Sequence, residues 1–146
     1  MTAPLIRLVK ESERAAWEPL WRGYLEFYKA SLPEQATDVA WRRLHDPNEP
    51  MFVLGAYVGG KLTGIVHYLY HRTTWTVGNY YYLQDLFVAE TARGLGRALI
   101  EAVCDMAREE GASRVYWLTQ EDNATARALY DKLAERSGFI QYRKIF

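Results

Sequence analysis

Cysteine is nearly absent from this 146-residue chain: Cys104 stands alone, so no internal disulfide can form. Neither sign of charge is in excess. Eighteen lysines and arginines face 18 aspartates and glutamates, a balance with no general attraction to nucleic acid or an anionic membrane. No apolar run is long enough to span a bilayer, and no leader of the secretory type is visible. Histidine is scarce too. His67 and His71 lie four apart on a predicted strand, and without a third ligand of clear spacing they make no metal site. Repeats and low-complexity segments are lacking. These absences leave a reducing cytoplasm as the expected location, with neither nucleic acid nor membrane as partner.

What is present suits one domain over residues 1–146. Apolar residues make up 49% of the chain and aromatics 14%, enough for a sizeable core. Leu5 to Val9 reads as a first strand. Ser12 can cap a helix carrying Trp17, Leu20, Trp21, Tyr24, Phe27 and Tyr28 at helical spacing. After Pro33, a second helix is predicted from about Glu34 to Leu44. Gly59-Gly60 joins two β-rich runs, Met51 to Val58 and Lys61 to His71, as a hairpin, and Tyr80 to Val88 adds a third strand. A helix ending at Gly111 follows, then a short strand from Val115 to Leu118. A last helix is capped by Asp122 or Asn123 and ended by Gly138, and Phe139 to Ile145 forms a final strand. The order predicts a mixed α/β fold. An antiparallel N-terminal meander feeds a β-α-β-α-β half, giving a central mixed sheet flanked by helices.

Three constellations carry candidate chemistry. The first is the loop Arg93-Gly94-Leu95-Gly96-Arg97-Ala98, between a strand and a helix. Glycines let backbone N–H groups approach one point, and a helix N-terminus adds unpaired donors and partial positive charge, which together can seat a pyrophosphate. Leu99 stands where a dinucleotide fingerprint needs its third glycine, and no Gly-Lys-Ser/Thr follows, so a plain strand-to-helix turn and a nucleotide loop both stay open. The second is Asn123 with Tyr130, seven residues apart and on one helical stripe, which reads equally as a cap and a core tyrosine. The third is Asp85, a carboxylate inside the apolar run Leu83 to Val88 that needs a partner or water. Cys104, in mid-helix, reads as a buried thiol.

Together these segments resemble the GNAT superfamily of acetyl-CoA-dependent N-acetyltransferases. Its signature, Gln/Arg-x-x-Gly-x-Gly/Ala with a strand-ending Val or Ile before it, is matched by Arg93-Gly94-Leu95-Gly96-Arg97-Ala98 and Val88. Its later motif, Asn-x-x-Ala-x-x-Leu/Phe-Tyr and then Gly-Phe, is matched by Asn123 to Tyr130 and Gly138-Phe139. The match covers about Tyr82 to Phe139. Within the family the strand looks like that of the diamine and the yeast histone-and-polyamine acetyltransferase-like groups, with Gln84 in place of the usual glutamate.

The resemblance implies acetyl-CoA as co-substrate and no metal. The pyrophosphate is expected on the backbone of Arg93, Gly94, Leu95, Gly96, Arg97 and Ala98, the pantetheine along Leu86, Phe87 and Val88, and Asn123 and Tyr130 on the facing helix. An amine attacks the thioester directly. Tyr130 is the expected acid for the departing thiolate and Asp85 the remaining candidate base. The expected acceptor is a small primary amine, polyamine or amino acid, placed by the aromatic and acidic residues Trp21, Tyr24, Glu26, Phe27, Tyr28, Glu34 and Asp38. The alternatives are a protein lysine or N-terminus as acceptor, or a catalytically silent CoA- or amine-sensing module. Only one strand can follow the last helix, where the family usually has two. A homodimer sharing that apolar C-terminal strand is therefore expected.

Overall fold

The computed structural model describes residues 3–89 and 93–146. Strand β1 (Leu5–Leu8) runs into a 3-10 turn at Glu11–Glu13, then helices α1 (Arg14–Phe27) and α2 (Glu34–Leu44). Strands β2 (Met51–Val58), β3 (Lys61–His71) and β4 (Tyr80–Val88) follow, then α3 (Leu95–Glu109), β5 (Arg114–Tyr116) and α4 (Ala124–Leu133). The sheet order is β1-β2-β3-β4-β5. The first three pairings are antiparallel and β4 with β5 is parallel, so the meander and the crossover through α3 are as the sequence predicts.

Helices cover both faces of the sheet. On one face Trp17 and Trp21 of α1 and Trp41 and Leu44 of α2 pack against Val53, Tyr57 and Ile65. On the other, Leu99, Ile100 and Val103 of α3 pack against Leu54, Val66, Tyr68 and Leu83. Each such side chain, fully buried, stabilises the fold by roughly 1.5–3 kcal/mol. Gly23 sets how closely α1 crosses β4, since a Cβ there would meet Cζ of Phe87 at 2.8 Å.

Three sequence expectations need correction. Ser12 does not cap α1: it lies inside the 3-10 turn, and the Glu13 carboxylate instead accepts the Lys10 N–H at 2.9 Å. Helix α4 ends at Leu133, five residues before Gly138. The predicted final strand is absent. Residues 135–146 carry no helix or strand, and Phe139, Ile140, Tyr142, Ile145 and Phe146 are exposed. A strand needs an edge to pair with, and β5, the last strand of the sheet, spans only three residues.

Candidate active site

The parallel pairing of β4 with β5 runs only through Tyr80↔Arg114, Tyr81↔Val115 and Tyr82↔Tyr116. β4 continues to Val88, so its second half has an edge that β5 does not cover. Backbone alternation tells which groups face that edge. The Ala89 N–H donates to the Thr63 carbonyl at 3.0 Å, and Phe87 and Asp85 follow in step opposite Ile65 and His67. Leu86 and Val88 therefore turn their backbone N–H and C=O away from β3, toward the open edge. Phe87 does not: its backbone belongs to the β3 ladder and its ring packs beneath α1.

Helix α3 starts beside this edge. Gly94 is its N-cap at φ +79°, a conformation that costs a residue with a side chain, and a Cβ there would enter open space. Gly96 is equally unhindered from within. Among the described residues, a Cβ on it would meet only Cδ2 of Leu86, at 3.8 Å. Nothing in the packing of the described residues demands glycine at 96, whereas a ligand lying on the backbone would. The Ala98 N–H already donates to the Gly94 carbonyl at 3.1 Å, so the free donors of the first turn come from the residues before it. Arg97 is exposed and pairs with Glu101 at 2.9 Å, and Arg93 is exposed just ahead of Gly94.

Asn123 caps α4 through its Oδ1, which accepts the Ala126 N–H at 3.3 Å and leaves its amide N–H donors for other use. Tyr130 is half-buried, edge-on to Trp117 with ring centroids 5.5 Å apart. Burial raises its pKa above the ordinary phenol value, and Tyr28 adds to the rise. Tyr28 stacks obliquely on Tyr24 at 4.9 Å. Burial pushes the Tyr24 pKa up, and the Asp85 charge adds to that.

A β-bulge decides where Asp85 points. His67 pairs with Asp85 and the next residue, Tyr68, pairs with Leu83, so Gln84 is the extra residue. Without it Leu83 and Asp85 would share a face. With it Leu83 faces the α3 core and Asp85 faces α1. There Asp85 Oδ2 accepts from His67 Nδ1 at 3.0 Å, and His67 Nε2 accepts from Trp17 Nε1 at 2.9 Å. Sequence reasoning missed Trp17 and His67 as site residues, since 50 positions separate them.

The acidic residues expected around the acceptor part company. Asp38 is held by Arg14, and Glu34 lies 3.5 Å from Arg22, so both face a guanidinium. Trp21 is core, whereas Phe27 and Tyr28 are exposed. Cys104 is half-buried, and burial raises its thiol pKa, which disfavours a thiolate. Among the described residues, no group of three or more His, Cys, Asp and Glu is placed to hold a metal ion.

Comparison with known proteins places the chain in one family. The sequence profile of the acetyltransferase (GNAT) family matches residues 14–134. The D-amino-acid N-acetyltransferase of Saccharomyces cerevisiae is 34% identical over 144 residues, covering 96% of this chain and 89% of that protein. The thialysine N-epsilon-acetyltransferase of Caenorhabditis elegans is 32% identical over 95 residues, 60% of this chain and 59% of that one. A solved structure of a probable acetyltransferase superposes with a TM-score of 0.85 at 25% identity, covering 97% of both chains.

Proposed function

This chain belongs to the acetyltransferase (GNAT) family and is an acetyl-CoA-dependent acetyltransferase, and on that premise we propose that it acetylates the primary amine of a small molecule, an amino acid first of all. The observation that carries the mechanism is the parting of β4 from β5 beyond Tyr82↔Tyr116, beside a helix that begins with two unhindered glycines. The pyrophosphate lies on the N–H groups around Gly94 to Arg97, where fixed backbone donors cost little to order. The pantetheine arm follows the open edge at Leu86 and Val88, and Asn123 reaches it from α4. A backbone N–H of that edge stabilises the oxyanion, a contribution of about 3 kcal/mol in comparable sites.

The amine attacks the thioester carbonyl directly. At neutral pH it arrives as an ammonium, because a free alkylamine has a pKa of about 10.4. Asp85 takes one proton, directly or through a water. The C–S bond then breaks, and the Tyr130 phenol protonates the thiolate. The amide nitrogen returns a proton to Tyr130, one hydrogen stays on the amide, and Asp85 releases its own to solvent. Aromatic faces at Tyr24, Tyr28 and Tyr82 suit a small cation. Two relatives are acetyltransferases of amino acids by name, which supports the choice of acceptor. A screen of D- and L-amino acids, polyamines and histone-tail peptides side by side tests it. Strong activity on peptides with none on small amines contradicts it.

The same reading includes a homodimer through the C-terminal segment. Phe139, Ile140, Tyr142, Ile145 and Phe146 expose their side chains, and among the described residues β5 has one neighbour, β4. An apolar segment and an open sheet edge in one molecule suit pairing with a second copy.

A further inference from the structure

Asp85 is a mostly buried carboxylate with no cation beside it among the described residues. Its side chain is 14% exposed, and the ion-pairing distance it makes is to His67. His67 from β3 hydrogen-bonds it, and its charge helps raise the phenol pKa of Tyr24 on α1 and of Tyr82 on its own strand. Such a carboxylate is costly to bury unless neutral donors or an incoming cation satisfy it.

The donors are arranged in a fixed direction. An indole N–H only donates, so Trp17 Nε1 at 2.9 Å requires a lone pair on His67 Nε2. The imidazole proton is then on Nδ1, where it donates to Asp85 Oδ2 at 3.0 Å. Trp17 is wholly buried and its ring lies 4.6 Å from that of Trp41, so the start of the chain is anchored between α1 and α2. The far end is the Asp85 carboxylate, with Oδ2 taken by His67 and, among the described residues, no hydrogen bond made to its other oxygen, which is the one left for the acceptor.

We propose that Trp17 and His67 are positioning residues for acetyl transfer: the indole N–H fixes the Nδ1–H tautomer of His67, and that N–H turns Asp85 so its second oxygen receives the proton of the incoming ammonium. The proposal rests on the reading of Asp85 as the base. Geometry is the point of the device, since a small misplacement of a reacting group costs large factors in rate.

Long-range 1H–15N NMR of the labelled protein, with the His67 signals assigned through H67N, reads the tautomer directly. The expected result is a protonated Nδ1 and an unprotonated Nε2. An Nε2–H tautomer or an imidazolium at neutral pH overturns the proposal. Steady-state kinetics reads the consequence. W17F keeps an aromatic ring and loses the donor, and is expected to lower kcat by roughly ten-fold or more, with KM for acetyl-CoA unchanged. H67N keeps a donor toward Asp85 and should retain more activity than H67L. A wild-type kcat in W17F, or equal losses in H67N and H67L, overturns the positioning role while leaving the base assignment standing if D85N is slow. Full activity in D85N removes the base assignment, and the positioning role with it, even where the tautomer is as expected.

Discussion

Tyr82 and Tyr116 are the last register partners shared by β4 and β5, their rings 4.9 Å apart, and beyond them β4 runs on for six residues without that neighbour. A parallel pair that ends early leaves backbone donors and acceptors on one side of a strand. Here they belong to Leu86 and Val88, and α3 begins beside them.

Gly96→Ala separates the fold from the cofactor. Alanine favours a helix over glycine by roughly 1 kcal/mol, and among the described residues its Cβ meets only Leu86 Cδ2, at 3.8 Å. Thermal unfolding should show equal or slightly higher stability. If the cofactor lies on this backbone, KM for acetyl-CoA should rise by about ten-fold, a loss of about 1.4 kcal/mol. An unchanged KM would move the pyrophosphate elsewhere.

Tyr130→Phe should lower kcat by about a hundred-fold or more and leave KM for acetyl-CoA nearly unchanged, as expected of an acid that acts in the transition state. Burial raises the pKa of this phenol, so it stays protonated to higher pH than a free tyrosine. Activity that needs the protonated phenol should persist past the ordinary tyrosine value and fall only above it. The variant should lack that alkaline limb. A kcat equal to wild type removes Tyr130 from the mechanism.

Much of this was legible in the sequence, and what was not has a physical cause. The glycine loop, the meander and the crossover helix follow from local spacing and turn chemistry. The side of the sheet on which Asp85 lies does not, because one bulged residue, Gln84, reverses the alternation after it. The Trp17–His67–Asp85 chain joins α1, β3 and β4, and only the packed sheet brings those residues together. The C-terminal segment reads as a strand because β-branched and aromatic residues favour one, but a strand also needs a partner edge.

Glu13 should govern part of the acid stability. Its carboxylate binds Arg7 at 2.8 and 3.1 Å and accepts from Tyr57 at 3.1 Å, joining β1, the 3-10 turn and β2. The Arg7 hydrogen bonds lower its pKa from 4.5 to about 2, helped by the Lys10 N–H and Tyr57. A depressed folded value contributes stability that is complete above the unfolded pKa and lost as pH falls through the folded one. Glu13→Gln should therefore be less stable than wild type at neutral pH, with the gap closing between about pH 4.5 and 2. A constant gap across that range contradicts the assignment.

Light scattering over a dilution series tests the dimer. A mass twice the 16.9 kDa of the chain is expected at micromolar concentration, and removal of residues 142–146 should reduce it to the monomer. A monomer mass at every concentration contradicts the interface, and a dimer that survives the deletion places it elsewhere.

The most direct measurement of the whole account is rapid mixing of the protein with acetyl-CoA, first alone and then with a small primary amine, following CoA thiol release and the mass of the protein together. Direct attack across the open β4 edge predicts thiol release only when the amine is present, an N-acetylated amine as product, and no acetylated protein at any time. Thiol released without amine, with an acetyl group retained on the protein, or no release with any small amine, would contradict it.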